Sequence, residues 1–181
     1  MNVAICEYGA GNVRSVRLAL ARLGARETDD VLTADLAVLP GVGSARAAMD
    51  GLRARGHVEA LRARFDDGGP ILGICLGLQL ALDETEEDGG VEGIGLVPGR
   101  AVRLTTGRVP RIGWAHVDDR GAFYVAHSYA AETPAAVAWS EGVVAEVRHG
   151  SFLGCQFHPE KSGPAGARYL QEVLDACLSL A

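Results

Sequence analysis

Cys75 sits in the stretch Ile71-Leu72-Gly73-Ile74-Cys75-Leu76-Gly77-Leu78-Gln79, where an apolar run of strand length gives way to helical spacing. Glycines stand two residues before it and two after, the nucleophile-elbow pattern with sulfur in place of oxygen. Such glycines let neighbouring elements approach a sharply turned nucleophile, and a helix amino terminus stabilises a thiolate through its dipole and free N–H groups. The spacing alone equally suits a small apolar residue in a core strand, the usual fate of cysteine. His158-Pro159-Glu160, closing an apolar run from Phe152 to Phe157, supplies the partner that favours chemistry. Pro159 pushes His158 into an extended conformation, and two-residue spacing puts imidazole and carboxylate on one side. Sulfur attack on an acyl carbon needs a base that takes the thiol proton and later protonates the leaving group, and an acid that orients the base. Cys75, His158 and Glu160 fill these roles, with His158 expected at a site edge and not in the core.

The order Cys, His, Glu differs from the Ser, Asp/Glu, His order of α/β-hydrolases. Metal binding by Cys155 and His158 is set aside, because positions three apart on an extended strand face opposite sides. Pro40-Gly41-Val42-Gly43 follows another apolar run and could aim a backbone N–H at a developing oxyanion beside that of Leu76; a plain strand-to-helix turn explains its spacing equally well. Gly9-Ala10-Gly11 hints at a phosphate loop, but position 14 is Arg14 and no Walker pattern occurs, so no nucleotide is expected. The acidic run from Asp83 to Asp88 is read as the solvated end of the helix after Cys75, although negative charge is unfavourable at a helix carboxyl terminus.

The elements needed to position these groups follow from periodicity. Val3 to Cys6, Leu36 to Leu39 and Ile71 to Ile74 have the character of buried strands. Helical spacing at Val13, Val16, Leu20 and Leu23, with Asn12 as cap and Gly24 as stop, and Ala- and Arg-rich segments ending near Phe65 lie between them. From Gly93 onward the pieces are short and β-rich, namely Ala101 to Leu104, Phe123 to Ala126, Ala136 to Trp139, Val143 to Val147 and Phe152 to Phe157. Gly166 to Leu180 closes the chain as a helix with Leu170, Leu174, Cys177 and Leu178 on one stripe. The fold class is therefore α/β: a three-layer, open, mostly parallel sheet flanked by helices, with additional antiparallel strands in the second half. Its ligand edge lies where the strands end.

At 181 residues, one domain over 1–181 is expected, large enough to remove roughly 70% of the unfolded chain's surface from water. Net charge is −6, and Lys161 is the single lysine among 17 basic residues, the opposite of what a nucleic-acid partner requires. No apolar stretch approaches the ~18 residues of a membrane helix and no basic n-region precedes Cys6, so a cytoplasmic protein without a membrane partner is expected. Four cysteines are too sparse for a disulfide framework, so reduced thiols are expected.

These motifs resemble the class I glutamine amidotransferases, and within them the glutaminase subunits of imidazole glycerol phosphate synthase. The resemblance runs nearly end to end, through Tyr8-Gly9-Ala10-Gly11-Asn12, Leu39-Pro40-Gly41-Val42-Gly43, Gly73 to Gln79, Ile112-Gly113-Trp114, His127-Ser128-Tyr129 and Gln156 to Gly163. Pro-Gly-Val-Gly together with Pro-Glu-Lys-Ser-Gly points to the histidine-biosynthesis branch. The resemblance implies hydrolysis of glutamine through a thioester on Cys75, with no metal or cofactor. Ammonia would pass to a cyclase subunit with a (β/α)8 barrel, in a heterodimer, for conversion of a ribulosyl phosphate to imidazole glycerol phosphate and an aminoimidazole carboxamide ribotide. By the same resemblance Gln79 and the backbone of His127, Ser128 and Tyr129 hold glutamine. Gly41, Val42, Gly43 and Leu76 form or gate the oxyanion hole, and the first loop and Ile112 to Trp114 border the partner.

Because an uncoupled glutaminase would waste glutamine, the oxyanion donor is expected to be misdirected until the partner is loaded. Glu7, Arg111 and Ala115 depart from residues usual in the family (Asp, His and Asn), and the chain is somewhat short for it. Service to another synthase, such as the vitamin B6 one, and a non-catalytic regulatory module are the alternatives.

Overall fold

The structure, a computed structural model, describes residues 1–9 and 13–178. Its first half comprises β1 (Asn2–Ile5), α1 (Arg14–Arg22), β2 (Arg26–Thr28), β3 (Leu36–Leu39), α2 (Ala45–Ala54), α3 (His57–Asp66), β4 (Ile71–Ile74) and α4 (Leu76–Ala81). The second half is strand-rich: β5 (Leu82–Thr85), β6 (Val91–Glu92), β7 (Val97–Arg103), β8 (Arg111–Val117), β9 (Gly121–His127), β10 (Tyr129–Glu132), β11 (Ala136–Ser140), β12 (Val143–His149) and β13 (Phe152–Cys155), followed by α5 (Gly163–Leu178).

The main sheet has the order β11-β12-β13-β4-β3-β1-β2. Strands β2, β1, β3, β4 and β13 run parallel, whereas β12 and β11 add to one edge antiparallel. The expected α/β fold is thus present. Strand β3, Leu-Ala-Val-Leu, shows why its sequence is continuously apolar. Leu36 and Val38 pack with Val16 and Leu20 of α1 and Leu170 and Leu174 of α5. Ala37 and Leu39 pack with Met49 and Leu52 of α2 and Leu61 of α3. Helices on both faces leave no solvated side on which polar residues could alternate.

The decisive feature for the site is the placement of β13. Although it comes from the strand-rich half, it lies parallel to β4, with Gly154 opposite Gly73 and Cys155 opposite Ile74. The chain therefore leaves both strands at the same edge of the sheet, Cys75 after one and His158 after the other. A four-stranded sheet, β10-β7-β5-β6, and a ribbon of β8 and β9 lie beside it.

Several elements differ from the sequence expectation. The acidic run does not end a helix: α4 stops at Ala81, and Leu82–Thr85 is a strand that pairs with β7. Leu82 and Thr85 are buried while Asp83 and Glu84 between them are exposed, so burial of the flanking side chains overrides the charge pattern. Glu87 and Asp88 cap α2 instead. The Ser44 hydroxyl and the Arg46 N–H donate to Asp88 Oδ2 at 2.6 and 3.0 Å, and the Ala45 N–H donates to Glu87 Oε2 at 3.1 Å. Negative charge is thus placed at a helix amino terminus, where the dipole favours it.

The strand expected to reach Phe157 ends at Cys155, and α5 begins at Gly163, three residues before the expected start. Its buried stripe holds Leu170, Leu174 and Cys177, but Leu178 is exposed. Gly24 ends α1 at a φ of +82°, donating its N–H to Ala21. Asn12, Ala10, Gly11 and Leu180 lie outside the described residues.

Close approach at the elbow is set by two glycines. A Cβ on Gly77 would fall 1.8 Å from the Leu39 carbonyl oxygen, and one on Gly73 would fall 2.6 Å from the Phe152 ring and 3.0 Å from the Leu78 nitrogen. Because the Gly77 neighbour is backbone, it cannot swing aside. Gly77→Ala is expected to destabilise the chain by about 3 kcal/mol or more, at or beyond the upper end of overpacking costs. Denaturant unfolding checks this, and a midpoint equal to that of the wild type would refute the packing argument.

Candidate active site

Cys75 adopts φ +54° and ψ −108°, a conformation that side chains other than glycine rarely enter. Three hydrogen bonds hold it there. Its N–H donates to the Cys155 carbonyl at 2.7 Å, and its own carbonyl accepts from the N–H groups of Leu78 and Gln79 at 3.1 and 3.3 Å. The turn projects the sulfur beyond the sheet edge, toward the Ala126 carbonyl at 3.9 Å, with the Gln156 side-chain amide donating to it at 3.6 Å.

His158 is extended at φ −103° and ψ 91°, as Pro159 requires, but Pro159–Lys161 forms a single 3-10 turn. The expected same-side placement is therefore reached by a turn and not by a continuing strand. The Nδ1 of His158 lies 2.9 Å from Glu160 Oε1. Its backbone is bolted from two sides: the His158 N–H donates to the Tyr124 carbonyl at 2.8 Å, and the Ser162 hydroxyl donates to the His158 carbonyl at 2.7 Å. Contrary to the expected edge position, His158 is 2% exposed. The site edge is roofed by β9, whose Tyr124 reaches over the turn.

Burial alone would strip charge from this imidazole. Its hydrogen bond with Cys75 and then the Glu160 carboxylate outweigh that effect and raise its pKa from 6.5 to about 9. The group can therefore carry, at neutral pH, the proton that a leaving amine needs.

A cavity of about 210 Å³ opens beside the sulfur, lined by Val42, Gly43, Cys75, Leu76, Gln79, His127, Ser128 and Tyr129 together with Glu87, Pro110, Ile112 and Ala126. Eight of the eleven residues singled out from sequence thus border one cavity, with His158 and Glu160 behind it. Gly41 is not among the lining residues. It is a spacer, because a Cβ there would meet the Gly77 nitrogen at 2.5 Å.

Gln79 directs its side-chain amide N–H groups to the Tyr129 carbonyl at 2.8 Å and Gln156 Oε1 at 3.0 Å, so it organises the 127–129 segment. His127 Nδ1 lies 2.9 Å from the same Tyr129 carbonyl, and burial presses its pKa down to about 4. It is therefore neutral at pH 7, with the proton on Nδ1, since a carbonyl can only accept.

Two residues of the site have no role assigned from the sequence. Gln156, 2% exposed and in contact with the sulfur, carries no signal beyond its neighbour His158. Glu87 is hidden in the acidic run; its carboxylate, raised in pKa by burial and by Asp88, lines the cavity.

The folded-state pKa of His158 is above the unfolded value. Its contribution to stability is thus present in full below pH 6.5 and is lost as pH rises through about 9. Glu160→Gln removes one of the groups that raise it, and the imidazole pKa is expected to fall, narrowing that window from its alkaline side. An NMR titration of His158 checks the sign, and an unchanged value would show that Glu160 does not act on it.

The matched family is glutamine amidotransferase class-I, over residues 10–177. Imidazole glycerol phosphate synthase subunit HisH of Escherichia coli (strain K12) is 38% identical, over 97% of this chain and 100% of that one. Its counterpart in Methanothermobacter thermautotrophicus is 40% identical, over 96% and 98%. Imidazole glycerol phosphate synthase hisHF of Arabidopsis thaliana is 40% identical over 95% of this chain, which spans only 34% of that longer protein. Among solved structures, a glutamine amidotransferase shares the fold at a TM-score of 0.75 and 22% identity, over 96% of this chain and 98% of that one. PurLQS from Thermotoga maritima does so at 0.75 and 20%, over 97% and 98%. The cysteine elbow, the histidine–carboxylate pair and the cavity before them are therefore carried by a chain that belongs to the class-I glutamine amidotransferases, among the relatives of imidazole glycerol phosphate synthase subunit HisH.

Proposed function

We propose that residues 1–181 act as one glutaminase domain, the ammonia-supplying subunit of an imidazole glycerol phosphate synthase. The observation that carries this reading is the buried His158 imidazole, 2.9 Å from Glu160, its proton held by Cys75 and Glu160, beside the small cavity that Cys75 lines. The Cys75 sulfur attacks the carboxamide carbon of glutamine while its proton resides on His158. That proton goes to the departing nitrogen, ammonia leaves, and a thioester remains on Cys75. Water activated by His158 then hydrolyses the thioester to glutamate and restores the thiol. Glu160 holds the imidazole in orientation and stabilises its charge.

Substrate roles follow from polarity. The half-buried Glu87 carboxylate suits the α-ammonium of glutamine, and the Ser128 and Tyr129 backbone, organised by Gln79 and His127, borders the rest of the molecule. Leu76, in the first turn of α4, has a backbone N–H without an intrahelical acceptor, and it suits the developing oxyanion.

The partner in this reading is a cyclase subunit with a (β/α)8 barrel, joined as a heterodimer, which uses the ammonia to convert a ribulosyl phosphate. The longer plant relative, the synthase hisHF, supports such a partner. Ile112 and Trp114 also support it: they are 64% and 63% exposed on the β8–β9 ribbon, and Ile112 stands at the cavity. Large apolar side chains exposed together on one face beside a site mouth are characteristic of a covered surface. Among the described residues no helix is long and apolar enough to cross a membrane, and a cytoplasmic setting fits the four unpaired cysteines.

Glutamate release measured on wild type and Cys75→Ala, with and without purified cyclase, tests the proposal. Cys75→Ala is expected to lower the stimulated rate by about 1,000-fold or more while melting as the wild type does. Turnover surviving that change would remove Cys75 from the reaction. Glutamate release by the wild-type pair is further expected to decline at alkaline pH with an apparent pKa of about 9, as His158 loses the proton that the leaving nitrogen needs. A flat profile through that range would assign the proton to another group.

A further inference from the structure

Three groups meet the Cys75 sulfur, and they favour different states of it. The Ala126 carbonyl, at 3.9 Å, accepts a thiol proton. His158 takes that proton when the sulfur becomes a nucleophile, and Cys75 in turn favours the charged imidazole. The third group, the Gln156 side-chain amide at 3.6 Å, has no part in the steps described above. It is 2% exposed, so its polar atoms must be matched by protein groups.

Which end of that amide faces the sulfur follows from a relay that starts at a backbone carbonyl. The Tyr129 carbonyl can only accept, and it takes hydrogen bonds from His127 Nδ1 at 2.9 Å and Gln79 Nε2 at 2.8 Å. The Gln79 NH2 group is thereby fixed on this side, and its other N–H meets Gln156 Oε1 at 3.0 Å. With its oxygen spent on Gln79, Gln156 turns its NH2 group to Cys75. Reversing Gln156 would set two NH2 groups against each other and an oxygen against the sulfur.

An N–H donor does more for a thiolate than for a thiol, because hydrogen bonds to ionised acceptors are roughly twice as strong as those between neutral groups. We infer that Gln156 is a catalytic residue that donates its side-chain N–H to the Cys75 thiolate and holds the anion ready for attack on the substrate carboxamide. This deepens the glutaminase reading and rests on it. The same donor serves the second half of the reaction. When water hydrolyses the thioester, the carbon–sulfur bond breaks and its electron pair returns to sulfur. The Gln156 N–H meets that charge until the proton that His158 took from water reaches the sulfur.

Gln156→Glu keeps an oxygen for Gln79 and puts an acceptor where the donor was, whereas Gln156→Met removes both groups at nearly equal length. With cyclase present, each variant is expected to lower kcat for glutamate release about tenfold, the loss of one hydrogen bond to a charged group. Alkylation of Cys75 by iodoacetamide needs the thiolate and no glutamine, and its pH of half-maximal rate should move up by about one unit in each. KM for glutamine is expected to stay within about twofold in Gln156→Glu and to rise in Gln156→Met, which also frees Gln79 and the 127–129 segment.

A kcat or an alkylation midpoint at the wild-type value in either variant overturns the donor role, as side-chain packing alone would leave the midpoint in place. Wild type that releases no glutamate with cyclase overturns the glutaminase reading and this role with it, an outcome distinct from a variant that is not slowed. Should neither variant fold, the wild-type chain decides. The NMR signal of a Gln156 side-chain amide proton is expected to titrate at the pH midpoint of Cys75 alkylation, and a signal that stays fixed through it overturns the proposal.

Discussion

One close crossing underlies the site: the backbone of α4 at Gly77 rests directly against the Leu39 carbonyl at the end of β3. Only with no side chain between them can the helix start this near the sheet. That start, in turn, forces the chain through the tight bend where Cys75 takes its positive φ. The strain of such a residue, of order 1–3 kcal/mol, persists because hydrogen bonds to β13 and to the next turn over-determine the bend. The sulfur is thereby held at the sheet edge by main-chain geometry, so its position does not depend on a flexible side chain.

The second constraint is electrostatic. A buried imidazole ordinarily loses its proton, as His127 does, yet His158 keeps it because Cys75 and the Glu160 carboxylate both favour its charged form. The two histidines have similar burial and opposite shifts, and what differs is the partner: a neutral carbonyl for His127, acidic groups for His158. In a low-dielectric interior the identity of the neighbour decides the charge state. The surrounding polar groups are organised to match, with Gln79 and Gln156 joined to each other and reaching the Tyr129 carbonyl and the sulfur.

Topology joins the two constraints. The elbow and the histidine turn are 83 residues apart from Cys75 to His158, and they meet because β13 inserts beside β4 in parallel. The intervening chain builds the other wall. Strand β9 supplies Ala126 and His127 to the cavity and, through Tyr124, anchors the His158 backbone. The acidic segment after α4 serves two ends at once, as cap of α2 through Asp88 and as cavity lining through Glu87.

Much of this is legible in the sequence. The glycines around Cys75, the His-Pro-Glu turn and the continuously apolar runs each answer to a local rule, because a sharp bend, an extended residue before proline and double-face burial leave marks at short range. The acidic run misleads for the same reason, since local charge pattern says helix end while the burial of Leu82 and Thr85 says strand. Gln156 and Glu87 carry no local mark of their roles: Gln156 meets the Cys75 sulfur from 81 residues away. Residue types and their immediate neighbours determined which groups could react. Which of them share a cavity, which imidazole stays charged and which end of an amide faces the sulfur were decided only when strands distant in sequence became adjacent, because desolvation and hydrogen bonding depend on what surrounds a group in space.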